Sequence, residues 1–471
     1  MKGIMKQMVT ITPIVETLSG LLNRGKEQAS ASHRQVLVSL AQPFQGEISP
    51  FEIFLNSVAK GTASTFWGKP DHDFWMAGNG IAAILAAEGD NRVNGIKEQI
   101  HELLSSGLVE APPVRGVGPV FIGGFRYDTK VKRDEIWRNF PDALLTLPRF
   151  LFTCSNSETW LTVNALVEQT TNVSLLAETL AADLQSVIGS SAREDCQPLI
   201  KHIAQTSREE WHENVRSALR AIDAGELTKV VLSRRKILHG NGNFSLDNVL
   251  RRLCTEYPEC TIFAICNGGA SFIGATPEML ASVDRGKLSV ACLASSAARG
   301  SNPEDDERLQ TRLLESQKER AEHSAVTEMV AAALKDMCRE LSRDVEPQLL
   351  KLKNIQHLFT SFTGKLQPEV DILDVVKRLH PTPAVAGVPT DRGVNLIGEL
   401  EGDRGWYAAP VGWLDRNGEG EFAVAIRSAL IDDGKAFLQA GCGIVDGSDP
   451  EREYEETELK FKPLLTALGA D

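Results

Sequence analysis

The sequence predicts an α+β fold, with antiparallel strands interrupted by helices in place of a doubly wound parallel sheet. Two observations carry this. Short runs of β-branched and aromatic residues bounded by turn signals recur in both halves of the chain, in two places as hairpins. Helical periodicity falls between groups of strands and does not follow each strand in turn. With 471 residues, 42% of them hydrophobic, the chain can bury a large core, as two or three domains or as one unit.

Residues 1–34 read as a loosely attached helical leader. Gln35–Ala41, Ser64–Gly68 and Phe74–Asn79 read as strands, with Lys69-Pro-Asp as a turn. Val93, Ile96, Ile100, Leu103 and Leu104 give Asn91–Ser106 the spacing of a helix. Gly118–Asp128 is a glycine-rich apolar strand region. Arg149–Thr153 and Thr159–Val167 form a hairpin around Ser155-Asn-Ser, and Val173–Ile188 is a second helix. The composition turns polar around Ala192–Gln197, which marks a sub-domain junction. Ser207-Arg-Glu-Glu210 is a capping box, and its helix runs to Ala224 and stops at Gly225. Strands follow at Thr228–Leu238, Thr261–Cys266, Ser271–Ala275, Met279–Val283 and Leu288–Leu293. One long helix is expected from about Glu307 to Leu341, with Val326, Met329, Val330, Ala333 and Leu334 as its buried stripe. Lys351–Leu358 and Ser361–Leu366 are further strands, and Glu421–Asp432 with Lys435–Gln439 is a hairpin across Asp433-Gly. Asp449 can cap a final helix with Pro450 in its first position. The expected organisation is the leader, a portion over 35–200, and a portion over 201–471 that forms one structural unit with it.

Composition excludes several classes. The net charge is −13 and no basic cluster interleaves with aromatics, so no nucleic-acid partner is expected. None of the eight cysteines forms a Cys-x-x-Cys pair, which argues against a structural zinc site; scattered thiols suit a reducing cytoplasm. Met8–Leu22 carries Glu16 and several Thr and Ser, unlike a signal peptide, and no apolar run approaches the roughly 20 residues of a membrane span. There is no Walker A sequence and no Gly-x-Gly-x-x-Gly entering a helix, so nucleotide chemistry loses its support.

Several residues are candidates for chemistry, each with an ordinary structural reading beside it. Glu322 continues the apolar stripe of its helix, as a ligand or partner of a cation or as the stripe's wet end; Glu315 and Glu319 extend the line and are read as solvated. Lys229 shares a strand face with Val231, as a desolvated base or a snorkelling strand-end lysine. Glu278, after Thr276-Pro277, enters an apolar strand as a proton donor of raised pKa, or is a solvated turn residue. Arg427 has small face partners, Ala423 and Ala425, which leave room to capture a carboxylate or to hold a buried ion pair. Gly441-Cys-Gly443 follows a strand, as an anion-binding backbone or an ordinary bulge or turn. Glu453, Glu456 and Lys460 share one helix face that continues to Leu464. A base, an acid, inward carboxylates and anion binders together suit a magnesium-dependent reaction on a small polycarboxylate.

Eight ordered blocks between about 205 and 466 resemble the chorismate-utilising enzymes, and among them the isochorismate synthases. They are Leu227–Arg235, Phe272–Glu278, Ser316–His323, His380–Gly387, Gly405–Gly412, Gly420–Arg427, Ala440–Val445 and Glu453-x-x-Glu-Thr-x-x-Lys460. Gly123–Asp128 is similar to the family's more variable N-terminal portion, and the long N-terminal half resembles the menaquinone type. The resemblance implies two large packed antiparallel sheets flanked by helices, with 201–471 as the chorismate-binding catalytic region. It implies that Lys229 activates water to attack C2 of chorismate and that Glu278 protonates the departing C4 hydroxyl. Glu322 and Glu456, with Glu453 nearby, would hold Mg2+. Tyr407, Arg427 and the Gly441 and Gly443 backbone would fix the enolpyruvyl carboxylate. Ser296, His357 and Lys460 would complete the substrate pocket. Relatives that use ammonia usually carry Gln where Lys229 stands, so no glutaminase subunit is expected. Salicylate synthases typically have Gly-Thr, and isochorismate synthases Gly-Ser, where this chain has Ser295-Ser296. That departure opens a question about the backbone at Ser295.

Overall fold

The computed structural model describes residues 12–46, 49–59, 61–155, 157–189, 197–351 and 355–470. The chain begins with α1 (Thr12–Ser32), β1 (Val36–Pro43), α2 (Pro50–Ala59), β2 (Ser64–Lys69), β3 (Phe74–Ala87), α3 (Arg92–Ser105), β4 (Leu108–Glu110), β5 (Val120–Phe125), β6 (Ala143–Ser155), β7 (Glu158–Val167) and α4 (Val173–Ile188). It continues through β8 (Ile200–Gln205), α5 (Arg208–Asp223), β9 (Lys229–Gly240), α6 (Leu246–Glu256), β10 (Thr261–Asn267), β11 (Ala270–Thr276), β12 (Met279–Asp284) and β13 (Lys287–Ala298). Next come α7 (Pro303–Glu315), α8 (Gln317–Leu334), β14 (Cys338–Arg343), β15 (Gln348–Lys351), β16 (Ile355–Leu366), α9 (Ile372–Leu379), β17 (Gly387–Val388) and α10 (Thr390–Glu401). The chain closes with β18 (Pro410–Asp415), β19 (Gly420–Val424), β20 (Ser428–Asp432), β21 (Lys435–Val445) and α11 (Pro450–Leu468).

The strands form one hydrogen-bonded network that divides at β6. Residues Thr146 and before pair with β5, residues Phe150 and after pair with β7, and Pro148 sits between; β3 follows β6 along both halves. One arm runs β5–β18–β19–β12–β13–β16, with β14 and β15 on the far edge of β16. The other runs β3–β2–β10–β11–β20–β21–β9–β8. β1 lies on β7 and carries β4 in a parallel pairing. The arms face each other across a buried aromatic layer, in which Trp67, Phe263 and Phe272 of the second arm meet Ile122, Trp413 and Ala423 of the first. α3, α8 and α9 cover the outside of the first arm. α1, α2, α4, α6 and α11 cover the second. The α+β architecture of two packed antiparallel sheets flanked by helices is therefore present.

Four local expectations change. The single helix over Glu307–Leu341 is two helices that meet at Ser316, whose backbone is extended (φ −64°, ψ 113°). Its hydroxyl accepts a hydrogen bond from the Glu319 N–H at 3.3 Å. A serine that satisfies a first-turn donor competes with helix continuation. At the other end Cys338–Arg343 leaves the helix to pair with β16, and of the stripe Met329 is exposed. The two strands expected over Lys351–Leu358 and Ser361–Leu366 are one continuous strand, β16, preceded by β15. The strand expected over Glu421–Asp432 breaks between β19 and β20, where Arg427 takes φ +49°. Finally, α1 buries Leu18, Leu21 and Leu22, so this part of the leader is firmly attached. Residues 1–11 and nearly all of the expected junction around Ala192–Gln197 lie outside the described residues. Among the described residues no helix is long and apolar enough to cross a membrane.

Candidate active site

β9, the β11–β12 turn, β13, α8, β16, β21 and α11 converge on a cavity of about 270 Å³. Lys229, Glu278, Glu322, His357, Tyr407, Arg427, Gly441, Gly443, Glu453, Glu456 and Lys460 all line it. Ser296 lies opposite His357 in the β13–β16 ladder, but its side chain is not among those described.

Lys229 opens β9. Its Nζ lies 2.6 Å from Glu322 Oε1, and the side chain is 11% exposed. A Cβ on Gly443 would stand 2.9 Å from Lys229 Cε, so the glycine makes room for the lysine. Gly441 and Gly443 sit inside β21, not after a strand as their sequence suggests. Their partners across the ladder are Ser233 and Val231. The Val231 N–H donates to Ala386 O, and the Ser233 N–H to Glu401. Neither is spent on β21, and in an antiparallel ladder the facing residues then also turn their peptide groups outward. β20 stops pairing with β21 at Leu438, so the outward edge at Gly441 and Gly443 meets the cavity. There Lys460 Nζ donates to Gly441 O at 2.8 Å and pairs with Glu456 at 2.6 Å.

α11 starts as its sequence requires, with the Asp449 side chain accepting from the Arg452 N–H. The spacing of Glu453, Glu456 and Lys460 puts all three on the cavity side, while Leu464 continues the line into the core.

Glu278 is held between β11 and β12. Its N–H donates to Thr276 Oγ1, its carbonyl accepts from the Val424 N–H, and Thr276 Oγ1 donates to Val424 O. The Thr276-Pro-Glu turn is thereby pinned to β19. Desolvation pushes the Glu278 carboxyl up to about 7, against the pull of Arg427, Lys229 and Lys460. Near neutrality it can therefore carry a proton. Burial, aided by Arg427 and Lys460, pushes His357 down to about 3, so its ring is neutral. Burial raises the Tyr407 phenol, which stays protonated.

Three lining residues were given no role at the site by the sequence. Glu319, read as solvated, is half-buried and lines the cavity; Glu315 is exposed, as expected. Ser295 lines it from a bulge in β13. Arg404 is 2% exposed and donates to Val385 O, Val231 O and both Glu401 oxygens, tying β9 to α10 and the loop before β17. The motif at Gly405–Gly412 begins one residue too late to include it.

Glu319, Glu322, Glu453 and Glu456 present an all-oxygen set from α8 and α11, which is the donor chemistry a hard divalent cation such as Mg2+ takes. Burial raises the Glu453 carboxyl, and the neighbouring Glu456 charge adds to the rise, as expected of clustered carboxylates that a cation would relieve. Among the described residues no three such side chains are gathered into a ready-made ligand cluster. Glu322 and Glu456 are each held by a lysine instead. The donors fit the ion, and lysine contacts would have to be exchanged for it.

The family model described as chorismate binding enzyme matches residues 24–469. The chain is 34% identical to isochorismate synthase MenF of Bacillus subtilis over 469 residues, which covers 98% of this chain and 99% of that protein. It is 33% identical to the salicylate biosynthesis isochorismate synthase of Pseudomonas aeruginosa, covering 99% of this chain and 97% of that one. In fold it is similar to the menaquinone-specific isochorismate synthase MenF of Escherichia coli, with a TM-score of 0.79 at 22% identity, covering 95% of this chain and 99% of that one. The chain belongs to the family of chorismate-binding enzymes.

Proposed function

We propose that this enzyme is a Mg2+-dependent isochorismate synthase that moves the hydroxyl of chorismate from C4 to C2. One observation carries the reading: Lys229 and a carboxyl able to hold a proton near neutrality, Glu278, line the same cavity. Transposing an allylic hydroxyl needs both a base and an acid. Lys229 takes a proton from the water that bonds to C2. Glu278 gives a proton to the hydroxyl that leaves C4. One water enters and one leaves, so substrate and product are isomers.

Arg427, Tyr407 and the outward N–H groups of Gly441 and Gly443 bind the enolpyruvyl carboxylate. Neutral His357 lines the ring's path, and Lys460 adds positive charge beside the carboxylates. Glu322 and Glu456, with Glu453, would hold the metal, which when bound would supply positive charge for the ring carboxylate. Ammonia as nucleophile needs no lysine such as Lys229, so no glutaminase subunit takes part.

Incubation with chorismate and Mg2+, with products separated by chromatography, tests the reading. Isochorismate should accumulate and a chelator should stop its formation. Salicylate with an equal amount of pyruvate would mean a salicylate synthase instead.

A further inference from the structure

Ser295 is a serine in a conformation that favours glycine. Its φ is +63°, at the point where the β13–β16 register shifts between Ala294 and Ser296. Such conformations persist where the surroundings hold them, and they cluster at functional sites. Two contacts cross from this bulge to the first turns of α8. Ser295 Oγ donates to Glu319 O at 3.1 Å. His323, 2% exposed, has Nδ1 3.3 Å from Ala294 O and Nε2 2.7 Å from Thr360 Oγ1 on β16. A carbonyl only accepts, so Nδ1 donates to Ala294 and Nε2 accepts from Thr360. The same stretch of α8 presents Glu319 and Glu322 to the cavity. A glycine at 295 would relax the backbone and lose the hydroxyl.

We propose that Ser295 is a positioning residue: its hydroxyl clips the β13 bulge to the first turn of α8 and so fixes where the Glu319 and Glu322 carboxylates stand. His323 supplies the second half of the clip one turn on. The link from clip to metal requirement rests on the reading of Glu322 as a Mg2+ ligand; the clip itself does not.

Two variants and two measurements test it. Ser295→Ala removes the hydroxyl and keeps the strained backbone. Ser295→Gly removes both. In hydrogen–deuterium exchange, the amides of residues 317–323 should exchange faster in both variants, with the remainder of the protein unchanged. In chorismate turnover both should need about tenfold more Mg2+ for half-maximal rate, the scale on which supports of metal ligands act, while KM for chorismate moves less. Ser295→Gly should melt no lower than the wild type, which separates positioning from general damage. Unchanged exchange over 317–323 overturns the clip, and faster exchange with an unchanged Mg2+ requirement overturns its positioning role. A wild type that leaves chorismate intact refutes the functional reading, while the exchange measurement still decides the clip.

Discussion

Among single residues the proposed chemistry turns on Glu278. Its value of about 7 lies above the ordinary 4.5, so the folded protein holds a proton that the unfolded chain releases. The stability this contributes is complete below about 4.5 and is lost as pH rises through about 7. Thermal denaturation across that window should therefore show the wild type losing stability relative to Glu278→Gln as pH rises; parallel curves would contradict the raised value. Lys229→Gln and Glu278→Gln should each lower kcat by at least about 100-fold, the range of a lost acid or base, with the fold intact by circular dichroism. Near-wild-type turnover in either variant would refute its role. The candidate residues were legible in the sequence as alternatives, because side-chain type and strand parity were visible but surroundings were not. Whether Lys229 is a base or a snorkelling lysine depends on Glu322 and Gly443, which come from a distant helix and another strand. Arg404 was illegible, since it acts through carbonyls of β9 and the loop at Val385 that no motif announces.

At the scale of elements, the break at Ser316 decides where Glu319 and Glu322 point. Ser316→Ala should cost about 1 kcal/mol in chemical denaturation, as other lost N-caps do, and no change would mean that the cap does not define the start of α8. The signal was present in Ser316-x-x-Glu319, but Glu315, Glu319 and Glu322 keep helical spacing across it into the stripe that begins at Val326, and spacing alone cannot show that a cap restarts a helix. Gly443 makes a second test. Gly443→Ala should sharply reduce turnover, because the added methyl would press on Lys229 Cε from 2.9 Å; a fully active variant would show that the lysine's placement does not depend on that gap. The sequence suggested a bulge or turn here, beside an anion-binding backbone, because two glycines flank Cys442, yet β9 pairs straight through them. Helix starts such as Ser207 and Asp449 were read correctly because their caps are local hydrogen bonds.

Across the whole molecule, β3 and β6 run through both arms, and strands after residue 200 rely on partners before it. β10 pairs with β2, and β18 pairs with β5. A fragment of residues 201–471 should therefore lack fixed tertiary structure, read as lost near-ultraviolet circular dichroism; a native-like spectrum would show that the portion folds alone. The alternating strands and their antiparallel class were visible in sequence, but which strand neighbours which was not, because a two-residue period carries no partner identity. The cavity forms where these distant pieces meet, and the proposed reaction begins with the attack of water there. It is tested most directly by turning chorismate over in water enriched in the heavy oxygen isotope and locating the label in the product by mass spectrometry. Isochorismate should carry one solvent oxygen, at C2. Unlabelled isochorismate would mean that the hydroxyl migrates within the substrate, and would contradict the roles given to Lys229 and Glu278.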